Sequence, residues 1–192
     1  MESLKLFTNL FTIELSKESQ TALIPFIKKK SFNKGDILTH QNETPYLFYI
    51  LLSGVVRSYI TDEKGKEHIR TLFVPITTTG SLSSLISRTP SNAAYDCLTD
   101  CETLECNFVE IKKLMTKYHD LSILHSQALE RSFIRTEDKI YELSVLDATE
   151  RYLKLKKDIP NIDNLITQYH IAAYLNITPV QLSRIRKGLL SK

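Results

Sequence analysis

The sequence predicts an α+β protein in three consecutive parts: an antiparallel β-roll or barrel, a long helix and a C-terminal helix-turn-helix. Three observations predict it. Between residues 32 and 106, short apolar runs alternate with turn residues at even spacing, as in a compact antiparallel barrel or roll. From Val109 that pattern stops, and apolar residues recur at helical intervals instead. Residues 168–187, QYHIAAYLNITPVQLSRIRK, then read as two short helices around a tight turn.

Residues 4–27 read as short helices. Leu4, Leu6, Phe7, Leu10 and Phe11 form a first cluster, and Ser19, Ala22, Leu23 and Phe26 follow on a helical repeat that Pro25 ends. Lys28, Lys29 and Lys30 read as a solvated strand start. Lys34-Gly35-Asp36 is a turn into a strand at Ile37 and Leu38. Residues 46–52, YLFYILL, are too short for an ordinary helix and suit a buried strand. Ser53-Gly54 turns the chain into a strand with Val55, Val56 and Tyr59, and residues 62–65 form a hairpin turn. In residues 67–74, His68, Arg70 and Leu72 alternate with Ile69, Thr71 and Phe73. Residues 93–98 and 103–108 supply two more strands.

Residues 77–92, TTTGSLSSLISRTPSN, interrupt the strands with a polar insertion, in which Leu82, Leu85 and Ile86 suggest one short helix. A long polar insertion in a compact barrel is a common place for a ligand. After a short helix at residues 111–118, Asp120 is placed as the cap of a helix reaching about Leu143. Its stripe of Leu121, Leu124, Ala128, Ile134, Ile140 and Leu143 is longer than one small barrel can bury, so a second copy is the expected partner. Another helix, residues 148–157, leads through Pro160 to the helix-turn-helix.

In that motif Ile171, Ala172 and Leu175 face Leu182 and Ile185, with Ile177 between them and the small Ala172 where the helices cross. Asn176 suits a left-handed turn position. Thr178 caps the second helix, and Pro179 takes its first position, where a missing N–H costs nothing. The outward residues Gln181, Ser183, Arg184, Arg186 and Lys187 are donors for base edges and phosphates. Thr167 caps the first helix and is placed at a phosphate. Duplex DNA is the expected partner.

Composition agrees. Of 192 residues, 42% are apolar, and no run approaches the ~20 of a membrane span. The mixed N-terminus, MESLKLFTNLF, lacks a secretory pattern, and three cysteines do not make a disulfide framework, so a cytoplasmic location is expected. From residue 146 onward there are eight Lys or Arg against four Asp or Glu, whereas the first 145 residues hold 17 against 18. The basic excess sits where a polyanion would be met.

Barrel, long helix and helix-turn-helix in this order resemble the Crp/Fnr transcription regulators. The marks are KGDILTHQNETPYLFYILLSGVVRSY at 34–59, DATERYLKL at 147–155, and the helix-turn-helix itself. The resemblance implies a cyclic-nucleotide-binding-type double-stranded β-roll over residues 1–118, a dimerisation helix over 119–145 and a reduced winged-helix domain over 146–192. The closing strands of the wing are expected to be absent or reduced. It implies a homodimer on a near-palindromic operator, with RNA polymerase as a further partner. The family's pocket uses a Gly-Glu pair for the ribose and an Arg-Ser pair for the cyclic phosphate. The matching positions here are Gly80 and Ser81, then Ser91 and Asn92, so both charged groups are missing. A phosphodiester in a partly dry pocket needs a cation that Ser does not replace. Cyclic AMP is therefore not expected to bind, no cofactor is expected, and another ligand would meet Gly80, Ser81, Leu82, Arg88, Ser91 and Asn92. The family's base-reading positions match Pro179, Val180 and Arg184, of which only Arg184 keeps the chemistry.

Cys97, Cys101 and Cys106 read as small buried residues, with a redox-sensing thiol as the alternative; three thiols do not make a closed cluster site. His40, His68, His119, His125 and His170 show no metal spacing. With no nucleophile turn or phosphate loop, no enzyme activity is expected. The competing reading is a ligand-binding or protein-interaction module whose DNA-binding domain has degenerated.

Overall fold

The structure, a computed structural model, describes residues 13–190, so the apolar cluster expected at residues 4–11 lies outside the described residues. Helix α1 (Lys17–Leu23) is capped by Ser16, whose hydroxyl accepts from the Ser19 N–H. A 3-10 turn at Ile24–Phe26 with Pro25 in it closes the segment. Eight strands follow: β1 (Ile27–Phe32), β2 (Ile37–Thr39), β3 (Leu47–Ser53), β4 (Val56–Thr61), β5 (Glu67–Phe73), β6 (Thr77–Thr79), β7 (Ala94–Cys97) and β8 (Cys101–Asn107). They form two four-stranded antiparallel sheets, ordered β1-β8-β3-β6 and β2-β7-β4-β5.

The continuous apolar run of β3 reflects burial on both faces. Ile50 belongs to a cluster with Leu121 and Ile111 outside the roll, while Leu51 packs inside it with Val56, Cys97 and Cys101. The Lys28–Lys30 backbone is the exposed centre of β1, with Lys29 and Lys30 paired to Glu102 and Glu105 of β8. Strand β6 was not expected within the polar insertion. Its three threonines carry no alternation, and only pairing with Tyr49, Ile50 and Leu51 makes it a strand.

Strand β5 departs from simple alternation. Its pairing with β4 steps from Ser58↔Thr71 to Tyr59↔Ile69, leaving Arg70 as the extra residue of a bulge. The bulge turns Ile69 and Leu72 to the same face, and both are buried. That face receives the C-terminal domain, as shown below.

Helix α2 (Leu82–Ser87) occupies the insertion as expected, and α3 (Phe108–Met115) starts where the Asn107 side chain accepts from the Glu110 N–H. That cap ends β8 one residue earlier than the apolar pattern suggested. Helix α4 (His119–Val145) runs 27 residues, and Tyr118 rather than Asp120 is its N-cap. Asp120 lies inside the first turn, and its carboxylate accepts from the Ser16 N–H at 2.8 Å and the Ser19 hydroxyl at 2.6 Å, tying α1 to α4. Along α4, Leu121 and Leu124 pack on the roll, but Phe133, Ile134, Ile140, Tyr141, Leu143 and Val145 are each half exposed or more. No described helix is long and apolar enough to cross a membrane.

After α4 come α5 (Ala148–Asp158), the one-turn α6 (Ile162–Leu165), α7 (Gln168–Tyr174) and α8 (Pro179–Leu190). Asp147 and Glu150 form a complete capping box at the start of α5. Tyr152, Leu155, Ile162, Ile171, Ala172, Leu175 and Leu182 form one core that continues into Val55, Ile69, Leu72 and Leu98 of the roll.

Candidate nucleic-acid interface

The pair α7–α8 is built as its residues require. The Thr167 hydroxyl accepts from the His170 N–H at 3.3 Å and caps α7. Asn176 adopts φ 55°, in the left-handed region, and the Ile177 N–H donates to the Ala172 carbonyl to close the turn. Ile171, Ala172, Leu175 and Leu182 are essentially without solvent contact. The Thr178 hydroxyl accepts from the Gln181 N–H at 3.2 Å, while Gln181 Oε1 accepts from the Thr178 N–H at 2.9 Å. This is a capping box, worth about 1 kcal/mol at each such helix start.

The expected contact residues divide into three groups. Val180, Ser183, Arg184 and Lys187 lie on the exposed side of α8, beside exposed Thr178 and Gln181. Gln181 and Thr178 already hold one another, so the Gln181 amide nitrogen is its available donor. Arg186 is turned inward: its guanidinium pairs with Asp163, and its Nε donates to the Tyr152 hydroxyl at 3.1 Å. The Tyr152 hydroxyl in turn donates to Asp163 at 2.8 Å. The spacing contained this signal, because Arg186 stands one turn beyond Leu182 and shares its buried side. The Thr178–Gln181 box was equally legible as a Thr-x-x-Gln start.

A shallow groove separates α8 from the start of α5, lined by Asp147, Ala148, Thr149, Gln181, Arg184 and Ile185. The domain behind it is fixed to α4 at several points. Lys139 stands over the Tyr174 ring at 3.6 Å, and Glu142 receives Lys139 at 3.4 Å and Lys154 at 3.0 Å. Burial pushes the Tyr174 phenol up to about 12 and pulls the Lys139 ammonium below its ordinary value. Arg151 bridges the α4–α5 junction to the turn after α7, donating to the carbonyls of Leu146 at 2.6 Å and Leu175 at 3.2 Å. Helix α7 lies against the bulged β5, where Ile69 and Leu72 meet Ile171 and Ala172 in one cluster. Beneath it, Arg57 makes a bidentate pair with Asp96 at 2.7 and 2.9 Å and also pairs with Glu67. Desolvation opposes that buried cation, but the two carboxylates hold its pKa above the usual arginine value. On the outward side of α8, Val180, Ser183 and Arg184 are exposed.

In the polar insertion, Gly80 has φ 133°, and a Cβ there would stand 3.4 Å from the Phe48 Cα. The Ser81 hydroxyl donates to Ser84, and that of Ser91 donates to the Ala93 carbonyl at 2.6 Å; Ser81 and Ser91 are buried. Leu82 is half-buried, and Arg88 and Asn92 are exposed, Arg88 ending α2 in a left-handed conformation. The residue that sequence reasoning missed is Arg135 of α4, which donates to the Thr77 hydroxyl at 3.1 Å and reaches the insertion from the long helix.

Known proteins share this architecture. Residues 29–118 match the cyclic nucleotide-binding domain. The cAMP-activated global transcriptional regulator CRP of Salmonella typhimurium is 28% identical over 114 residues, which are 59% of this chain and 54% of that protein. FixK2 from Bradyrhizobium japonicum superposes with a TM-score of 0.74 at 18% identity, covering 86% of this chain and 85% of that one. A putative transcriptional regulator of the crp/fnr family from Eubacterium rectale shares the fold, with a TM-score of 0.72 at 16% identity over 95% of this chain and 88% of that one. The c-di-GMP responsive global regulator CLP of Xanthomonas campestris shares the fold, with a TM-score of 0.65 at 13% identity over 92% of each chain. The match to the curated CRP proteins spans about half their length.

At the positions of the insertion that match the resemblance's charged pairs, Gly80 and Ser81 and then Ser91 and Asn92, no charged side chain stands. Ser91 is bonded to its own backbone neighbour, and Arg88, the one cation of the segment, is on the surface.

Proposed function

We propose that the protein is a cytoplasmic, homodimeric, sequence-specific DNA-binding transcription regulator whose roll does not respond to cyclic AMP. The observation that carries this reading is the division of α8 into a sealed side and an open one. Leu182 and Arg186 hold the helix to its own domain, while Val180, Gln181, Ser183, Arg184 and Lys187 face outward. A helix held this firmly and presenting amide, hydroxyl and guanidinium donors suits the major groove. Arg184 is the base reader, bidentate to guanine, and Gln181, Ser183 and Lys187 add contacts to bases and phosphates. Thr167 and Thr178, at two helix starts, touch phosphates.

A second copy completes the machine. The exposed apolar run from Phe133 to Val145 pairs with itself across a two-fold axis and sets two α8 helices on successive major grooves, about 34 Å apart. A signal received in the roll reaches the readers through α4 and through the face of β5 that α7 rests on. Selection from a randomised duplex pool tests the proposal. It predicts an enriched near-palindrome with half-sites one helical turn apart, and a pool without enrichment at moderate salt would refute it.

A further inference from the structure

A buried charge at the joint between α4 and the C-terminal domain has no part in the contacts proposed for DNA. Glu142 is 8% exposed, and Asp96 is the one other carboxylate so buried among the described residues. Glu142 stands in the last turn of α4, the end where a helix dipole disfavours a negative charge, and that turn holds no basic residue. Burial and position both oppose this carboxylate, and its partners offset them. Its Oε1 takes Lys154 of α5 at 3.0 Å, and its Oε2 takes Lys139 at 3.4 Å. Lys139 in turn stands over the Tyr174 ring of α7 at 3.6 Å. One carboxylate therefore links α4 to two helices of the next domain.

Leu146 and Asp147 alone separate α4 from α5. Asp147 caps α5, and Arg151 holds the Leu146 carbonyl at 2.6 Å, so this short connection is tied to the domain that follows it. The bend itself is at Leu146, whose backbone leaves the helix at φ −82° and ψ 138°. The roll holds the same domain through apolar contacts of Ile69 and Leu72 with Ile171 and Ala172. Apolar burial is non-directional and lets packed faces slide, whereas a charged hydrogen bond fixes an angle. On a duplex, one added base pair moves a half-site ~3.4 Å along the axis and turns it about 35°. Lys154 lies eight residues beyond Leu146, about 12 Å along α5. Bending the domain through that angle at Leu146 carries Lys154 roughly 7 Å, beyond any hydrogen bond to Glu142.

We propose that Glu142, through Lys154, is the positioning residue that fixes the angle of the DNA-binding domain to α4 and so restricts the dimer to one spacing between half-sites. The inference rests on the proposed reading of DNA by two copies of α8. A duplex with its half-sites one base pair nearer or farther is accommodated only by breaking the pair and leaving the buried carboxylate without its partner on α5. Glu142→Gln keeps the shape of the side chain and removes the charge, so the domain follows an altered spacing more easily while each α8 still reads its own half-site.

The test uses the full chain and the selected duplex with its spacer shortened or lengthened by one base pair. Wild-type protein should lose affinity on either altered spacer, and Glu142→Gln should lose several-fold less. Discrimination against a replaced guanine within a half-site should keep its wild-type value, which a general weakening of the fold would not spare. Lys154→Gln should flatten the spacing profile as Glu142→Gln does, and Lys154→Arg, which keeps the charge, should retain it. Asp158→Asn removes the partner of Lys154 within α5 and should leave the profile unchanged. Hydrogen exchange across residues 142–152, measured without DNA, should quicken several-fold in Glu142→Gln while β3 and β8 keep their wild-type rates. Unchanged exchange, parallel spacing profiles for wild type and Glu142→Gln, or equal flattening by Asp158→Asn would each overturn the proposal. The exchange measurement needs neither DNA nor a second copy, so a failure of DNA binding would not be mistaken for a failure of the joint.

Discussion

Arg184 and Arg186 stand two residues apart on one helix, one exposed and the other packed against its own domain, and the proposed function gives them opposite duties. Arg186 is about one-fifth exposed and lies between Asp163 and the Tyr152 hydroxyl, so Arg186→Ala removes a charge-assisted pair and a hydrogen bond. Asp163 keeps the Tyr152 hydroxyl at 2.8 Å and Lys156 at 3.5 Å, which limits the damage. The expected loss is about 1–2 kcal/mol, or roughly 2–8 °C in Tm for a chain of this size. Arg184 is exposed, and Arg184→Ala should change stability by less than about 0.5 kcal/mol. Its cost should appear on DNA instead, as a loss of base discrimination of roughly 1–3 kcal/mol. Thermal melts of both variants, beside competition between the enriched duplex and one with the contacted guanine replaced, measure both effects. Equal weakening of Arg184→Ala on both duplexes, or a wild-type melt for Arg186→Ala, would refute the division of labour.

Other consequences follow from the same contacts. Tyr141→Glu or Phe133→Glu, on the exposed stretch of α4, should leave the fold intact and yield monomers in sedimentation equilibrium; persistent dimers would place the interface elsewhere. Leu72→Ala opens a cavity between the bulged strand and α7, and urea unfolding should show a loss of about 2–4 kcal/mol. A loss near zero would mean that the domain does not rest there in solution. Burial first, and the nearby Arg57 guanidinium second, hold His170 below its ordinary pKa, so the docked state favours its neutral form. Its contribution to docking is present above about pH 6.5 and lost as pH falls through the lowered value. Hydrogen exchange in α7 should therefore rise on acidification, and His170→Asn should remove that dependence.

The readable parts of the sequence were those whose causes are local. Asn176, Thr178 and Pro179 mark a turn, a cap and a helix start with no reference to the rest of the chain, and the helix-turn-helix follows. The run 46–52 announced a strand buried on both sides. What escaped depends on partners distant in sequence. Thr77–Thr79 becomes a strand only beside Tyr49, Ile50 and Leu51. The bulge at Arg70, which turns Ile69 and Leu72 to one face, is set by pairing with Ser58 and Tyr59, and the apolar pattern of β5 alone suggested plain alternation. The inward turn of Arg186 was available from its spacing to Leu182, but its basic charge suggested an outward role. Arg135 looked like an interruption of an apolar stripe, and only the placement of α4 over β6 gives it Thr77.

A chemical map of the protein on its selected duplex tests most directly whether the open side of α8 reads DNA. The account predicts two protected patches about 34 Å apart, each with interference from methylation of guanine N7 in the major groove, and loss of that interference signature in Arg184→Ala. Protection without major-groove interference, or a single patch, would contradict it.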